Sequence, residues 1–308
     1  MRKFNLTSKV ARRLAGLDRK EAKAAPVPQE AAEQRTEGAA QPANQEKKST
    51  ESLRIAWRTD IGKVRRSNQD AVILGNGLAG IADGMGGHNG GEIASCGLRD
   101  GLIRETEHAK PEAETLRTVI EKVNRELWEQ QKTDLTLSGM GTTLTVMWPA
   151  PTEMIIAQVG DSRAYLMRDG SFRQMTEDHS MVADLVRRGI LTEEQAACHP
   201  MRNYITRAVG TDEQVEADIT VVGRRAGDRW LICSDGLHGL VNKTELCRMM
   251  EMENIEEAAN AMLEAALNNG GRDNISLIVM EDGAGASTEQ DEAEASEPLT
   301  VPAGEETR

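Results

Sequence analysis

The stretch LAGIADGMGGHNGGE, residues 78–92, decides how this chain is read. An apolar, strand-like run ends in Asp83, a glycine-dense turn follows, and a helical pattern opens at Glu92. Glycine has no Cβ, so the backbone after Asp83 can approach a ligand closely. A lone Asp-Gly after a strand is ordinary turn chemistry. The same device recurs along this chain, and the recurrence carries the reading.

Working upstream, residues 71–74 and 78–82 flank Gly75-Asn76-Gly77, a strong hairpin signal. Antiparallel pairing about that turn sets Gln69 and Asp70 opposite Ala82 and Asp83. Two acids at the same end of adjacent strands repel unless a cation lies between them.

Downstream, helices are expected over residues 92–106 and 112–131. The second carries Leu116, Val119, Ile120, Val123, Leu127 and Trp128 on one face, a core-packing stripe. SGMGTT (residues 138–143) then opens a meander with strands over 142–148, 154–159, 163–168 and 172–175. Residues 179–209 read as a long, mostly irregular flap with a short helix near Met181 and a capping box at Thr192 and Gln195. A strand over 229–233 ends in Ser234-Asp235-Gly236. Asn242 with Glu245 caps a helix, 255–267 is another, and Arg272-Asp273-Asn274 leads into a last strand over 275–280.

Charge separates the parts of the 308-residue chain. Residues 1–50 carry a net +5, residues 51–282 a net −12 and residues 283–308 a net −6, giving −13 in all. The two ends lack sustained apolar periodicity and read as disordered extensions flanking one domain at 51–282. An acidic domain is a poor partner for nucleic acid or anionic lipid and a good one for divalent cations. Cys96, Cys198, Cys233 and Cys247 form no Cys-x-x-Cys pair, which argues against a disulfide framework or zinc knuckle. With no membrane-length apolar run and no signal-peptide core, the expectation is a soluble, cytoplasmic protein.

Asp70, Asp83, Asp161, Asp235 and Asp273 all border apolar strand-like runs. If those ends converge, they form a ring of hard oxygen ligands suited to Mg²⁺ or Mn²⁺. Two such ions about 3.5–4 Å apart activate water for in-line attack on phosphorus. Arg65, five residues before Asp70, has the planar guanidinium that grips phosphate oxygens in pairs. Arg66 is chemically as good, and spacing does not choose between them. Cysteine-based phosphoester cleavage needs Cys-x5-Arg, but six positions beyond the cysteines lie Leu102, Tyr204, Gly239 and Glu253. No Gly-x-Ser-x-Gly elbow or P-loop occurs either.

The ordered set VRRSNQD (64–70), IADGMGGHNGGE (81–92), SGMGTT (138–143), VGDSRAY (159–165), TEDHS (176–180), RNYITRAVG (202–210), LICSDGL (231–237) and GGRDNIS (270–276) resembles the metal-dependent protein phosphatases of type 2C, in their bacterial Ser/Thr branch. The resemblance spans roughly residues 54–282. It implies an α+β fold, a four-layer α/β/β/α sandwich of two antiparallel sheets flanked by helices. By the same resemblance Asp83 is the bridging metal ligand, the Gly84 carbonyl completes one site, and Asp235 and Asp273 are the paired acidic ligands. Asp161 matches a ligand of a third, weaker metal, Asp70 the acid that orients metal-bound water, and Arg65 the phosphate-binding arginine. The flap would border the cleft.

Two departures stand out. Where some relatives carry a histidine proton donor two residues past the bridging acid, this chain has Met85, with His88 a weak substitute. Where some have Glu before the orienting acid, it has Gln69. The resemblance implies Mn²⁺- or Mg²⁺-dependent hydrolysis of phosphoserine and phosphothreonine in proteins by a metal-bound hydroxide. It further implies a monomer opposing a bacterial Ser/Thr kinase on phosphorylated protein substrates. The alternatives are a non-catalytic phosphoprotein-binding module and a phosphatase of a partner-switching regulator.

Overall fold

The computed structural model describes residues 53–86 and 90–283. The N-terminal extension at 1–50, the acidic tail from 284 onward and His88 lie outside the described residues.

The expected hairpin forms first. Strands β2 (Asp70–Gly75) and β3 (Leu78–Met85) pair antiparallel through the two-residue turn Asn76-Gly77. Both turn residues have positive φ, 51° and 81°, the twist that a two-residue hairpin requires. β3 runs past Asp83, because Gly84 and Met85 pair with Thr142 and Gly141 of β4 (Gly141–Thr142). Asp83 therefore sits within a strand, not at its end.

Strands β5 (Leu144–Pro149), β6 (Glu153–Val159) and β9 (Asp218–Gly223) extend this sheet in the order β2-β3-β5-β6-β9. The second sheet has the order β1-β11-β10-β7-β8, from Leu53–Asp60, Ile275–Asp282, Arg229–Cys233, Arg163–Arg168 and Ser171–Gln174. Every neighbouring pair in both sheets is antiparallel.

Period-two side-chain alternation sorts each strand between two cores. On β11, Leu277 and Val279 face the helices while Ile278 and Met280 face the other sheet. On β3, Ala79 and Ile81 point into the inter-sheet core with Met147, Ile156, Leu166, Trp230 and Ile232. Leu78 and Ala82 instead meet α1 (Gly90–Thr106) and α2 (Ala113–Thr133). Across the molecule, α5 (Asp235–His238), α6 (Lys243–Met250) and α7 (Ile255–Asn268) cover the second sheet. Strands buried on both faces read as near-continuous apolar runs, as the inner strands β5, β6, β10 and β11 do. Each fully buried Leu or Ile contributes about 1.5–3 kcal/mol over exposure. The layers are the expected α/β/β/α sandwich.

The flap carries two short helices, α3 (Met181–Arg187) and α4 (Glu193–Ala197), the latter with the capping box read at Thr192 and Gln195. Its ends are tied by bridges between Ser180 and Ile205 and between Thr142 and Val209. No helix among the described residues is long and apolar enough to cross a membrane.

Candidate metal centre

The β2–β3 register places Asp70 directly opposite Asp83. Asp83 is fixed through its backbone: its N–H donates to Thr143 Oγ1 at 3.0 Å, and its carbonyl accepts from Thr143 N at 2.9 Å and Thr142 Oγ1 at 3.0 Å. The two threonines that close SGMGTT thus engage the Asp83 backbone and leave its carboxyl among the other acids. The next residue must be glycine. A Cβ on Gly84 would lie 2.1 Å from the Gly91 carbonyl oxygen and 2.6 Å from that of Gln69. The Gly84 N–H donates to Gln69 O at 3.1 Å, and Ser95 Oγ donates to the same carbonyl at 2.6 Å.

The other sheet supplies the remaining acids. Ser234 closes β10 and donates from Oγ to Asp70 Oδ2 at 3.0 Å, while accepting from Ser276 N at 3.1 Å. This bond joins the sheets at the site. Asp235 is the first residue of α5, so its carboxyl emerges from a helix start and not a strand end. Asp273 pairs with Arg65, Nη2 to Oδ2 at 2.7 Å. Asn274 organises the loop that bears Arg65: its Nδ2 donates to Ile61 O and Ser67 O, and its Oδ1 accepts from Gln69 N. Of the two arginines that spacing had left level, both of them exposed, Arg65 is the one that meets Asp273.

Asp161 arrives on a turn after β6. Gly160 has φ +102°, and a Cβ there would lie 2.7 Å from Thr143 Cγ2. Thr143 Oγ1 lies 2.9 Å from Ser162 Oγ, so one threonine touches both the Asp83 and Asp161 segments. His179 Nδ1 accepts from Gly160 N at 3.1 Å, and His238 Nε2 donates to Asp161 O at 3.0 Å. Burial lowers both imidazoles, His238 to about 3.

The acids act on one another. Burial holds Asp83 well above the usual carboxylate range, and the charges of Asp70, Asp235, Asp161 and Asp273 add to it. Burial likewise raises Asp70 to about 6 against the opposing hydrogen bonds from Ser276 and Ser234. Burial and Asp273 raise Asp235 to about 6, and burial with Asp235 raises Asp161 to about 8. The carboxyl groups are sunk in protein although Asp70, Asp83, Asp235 and Asp273 each keep some exposed surface. The charge of Arg65, and to a smaller degree that of Arg202 in the flap, pulls Asp235 back down.

A divalent cation fits this donor set. Asp70 Oδ1 and Asp235 Oδ1 are sealed from solvent without a hydrogen-bond partner, and a buried carboxylate oxygen needs one. All the side-chain donors are hard oxygens. The ring is open: among the described residues no three His, Cys, Asp or Glu side chains already enclose an ion. Asp273 meets Arg65 through Oδ2. A cavity of about 390 Å³ beside β9, lined by Arg117, Gln158, Glu177 and Asp218, contains none of the five acids and is a gap at the sheet edge.

Sequence reasoning named the five acids and Arg65, and the structure brings them near one another. It assigned no role to Ser234, Ser276, His179 or His238, although the first three stand inside the quoted motifs LICSDGL, GGRDNIS and TEDHS.

Comparison with known proteins gives the same picture. The sequence pattern of protein phosphatase 2C matches residues 63–269. The serine/threonine protein phosphatase PstP of Mycobacterium tuberculosis is 39% identical over 230 residues, covering 74% of this chain and 44% of that protein. This chain therefore spans less than half the length of PstP. The serine/threonine phosphatase stp of Listeria monocytogenes is 38% identical over 241 residues, covering 74% of this chain and 96% of the relative. The crystal structure of PstP superposes with a TM-score of 0.72 at 37% identity, over 75% of this chain and 99% of that one. A second structure holds the PstP catalytic domain with two manganese ions, at a TM-score of 0.69 and 37% identity, over 74% and 97%. With the pattern matched from the Arg65 loop to the end of α7 and a relative aligned along nearly its whole length, this chain belongs to the protein phosphatase 2C family.

Proposed function

We propose that this chain hydrolyses phosphoserine and phosphothreonine esters of proteins with Mn²⁺ or Mg²⁺. The single observation that carries the reading is the pair of orphaned oxygens, Asp70 Oδ1 and Asp235 Oδ1, in an acid ring beside Arg65. Asp83, the Gly84 carbonyl, Asp235 and Asp273 would hold two cations, and Asp161 a third, weaker one. When bound, the cations supply an activated water and offset the charge on the phosphoryl group.

The chain's own groups do the rest. Arg65 grips two phosphoryl oxygens and orients phosphorus, with Asp273 aligning the guanidinium. Asp70, fixed by Ser234, accepts a hydrogen bond from the attacking water at Oδ1. Met85 carries no proton, so the leaving serine or threonine oxygen takes one from water. The catalytic domain is 51–282. Its substrates are proteins phosphorylated by a Ser/Thr kinase of the same cytoplasm, and it acts as a monomer.

The test is turnover of a phosphothreonine peptide and of p-nitrophenyl phosphate by the full chain, with Mn²⁺ or excess chelator. Activity is expected with the ion alone, to be lost in Asp83→Ala, Asp235→Ala and Asp273→Ala, and to survive deletion of 1–50. Full activity in any of the three Ala variants would falsify the site assignment. Binding of the peptide without turnover would make this a phosphoprotein-binding module instead.

A further inference from the structure

The turn that carries Asp161 is held from two sides by histidines. On one side, His179 makes a reciprocal pair with Gly160: its N–H donates to Gly160 O at 2.9 Å, and its Nδ1 accepts from Gly160 N at 3.1 Å. With Nδ1 accepting, the ring proton sits on Nε2, 3.2 Å from Asp218 Oδ2. Arg207 holds the other oxygen of Asp218 at 2.7 Å. His179 also accepts Thr206 N–H through its carbonyl, at the far end of the flap. On the other side, His238 reaches back from α5, three residues after Asp235, to the Asp161 carbonyl.

The turn has little slack between them. Gly160 occupies a left-handed conformation against Thr143, and Asp161 is 8% exposed. A displacement of either ring therefore moves the Asp161 carboxyl with it. Neither ring reaches the acid ring itself through a side-chain contact; both act on the backbone that aims Asp161.

We propose that His179 and His238 are positioning residues that jointly set the cation affinity of the Asp161 position and tie it to the flap and to the Asp235 helix. This rests on the reading of Asp161 as a metal ligand. Outer partners that orient ligands typically govern about 10–100-fold in metal affinity. Here they would do so through a main-chain turn and without touching the ion.

The experiment is titration of the metal-free full chain with Mn²⁺, following free Mn²⁺ by electron paramagnetic resonance to resolve each binding step, with a melting curve for every variant. Asp161→Ala is expected to abolish the weakest step and spare the others. His179→Leu and His238→Leu are expected to weaken that same step about 10–100-fold with the tighter steps unchanged. His179→Asn keeps an acceptor near the Nδ1 position and His238→Gln a donor near Nε2, so both are expected to restore it. If Asp161→Ala leaves every step intact, the ligand reading fails and the proposal with it. If Asp161→Ala removes the weak step while both Leu variants bind like the parent, the histidine clamp alone is overturned. Should a Leu variant not fold, His179→Gln decides: it displaces the acceptor by one methylene and is expected to weaken the step relative to His179→Asn. Equal affinity in those two amide variants overturns the proposal.

Discussion

Asp70 and Asp83 stand directly opposite each other on the β2–β3 ladder, and Ser234 of the other sheet donates to Asp70 at 3.0 Å. The pairing is unfavourable for a bare sheet, since like charges directly opposed destabilise it. It becomes favourable when a cation supplies the missing charge.

That relationship fixes a pH dependence. The folded carboxyls of Asp70 and Asp235 lie at about 6 and Asp161 at about 8, against an ordinary value of 3.8. The folded, metal-free chain thus binds more protons than the unfolded one across that window. Its stability is fullest below about pH 4 as far as these groups are concerned, and falls as pH rises towards about 8. Mn²⁺ competes with those protons, so the Mn²⁺-induced rise in Tm is expected to be larger at pH 8 than at pH 5. Melting curves in chelator and in Mn²⁺ at the two pH values measure this, and an equal rise at both would contradict it.

Arg65 and its neighbour separate cleanly. Loss of hydrogen bonds to a charged group costs about 1.5–3 kcal/mol, so Arg65→Ala is expected to raise KM for a phosphopeptide by about 10–100-fold. Arg65→Lys keeps the charge without the planar fork and should fall between. Arg66→Ala leaves the Arg65–Asp273 pair in place and is expected to stay near the parent. Steady-state kinetics on the three variants provide the comparison, and a larger effect at Arg66 would reverse the assignment.

A single methyl group probes the glycine turn. Gly84→Ala would drive a Cβ into the carbonyls of Gly91 and Gln69, and overpacking of this kind costs about 1–3 kcal/mol. Both a lower Tm and weaker Mn²⁺ binding are expected, because the strain falls on the backbone beside Asp83. Calorimetric melting together with Mn²⁺ titration distinguishes this from stability loss alone.

At the far end of the sandwich, buried Arg224 and Asp282 pair, and Trp230 Nε1 donates to Asp282 at 3.2 Å. Removing one partner of a buried pair strands the other charge, at about 3–5 kcal/mol. Asp282→Ala is expected to lower denaturant stability by that order while leaving KM of the remaining folded enzyme unchanged. A changed KM would mean that the two ends of the sandwich communicate.

The hairpin, the helix stripes and the acids were legible because each has a short-range signal. Asn76-Gly77 announces its turn, Leu116 to Trp128 their face, and Asn242 with Glu245 their cap. Strands β1 and β9 were not anticipated. β1 is an edge strand with Arg54 and Arg58 among its apolar residues, and β9 is a short, partly exposed edge strand after the flap. Edge strands receive half their definition from the neighbour they pair with, which local pattern does not contain. The helix start at Asp235 was hidden by the length of α5, four residues, too short for periodicity. The roles of His179, His238 and Ser234 are purely tertiary: each meets its partner across 19 to 164 residues of chain.

The pairing of β1 with β11 has a consequence for the protein's birth. Arg54 and Glu281, partners in that ladder, are 227 residues apart in the chain. Asp273 lies just ahead of the last strand. A ribosome adds about 5–20 residues per second, so for many seconds the nascent chain carries Asp70 and Asp83 without the strand that completes their site. Such non-local closure is slow and collective. A chain cut short by premature termination before β11 would bear most of the motifs and lack the assembled centre, so the acid ring enters the cell only with finished domains.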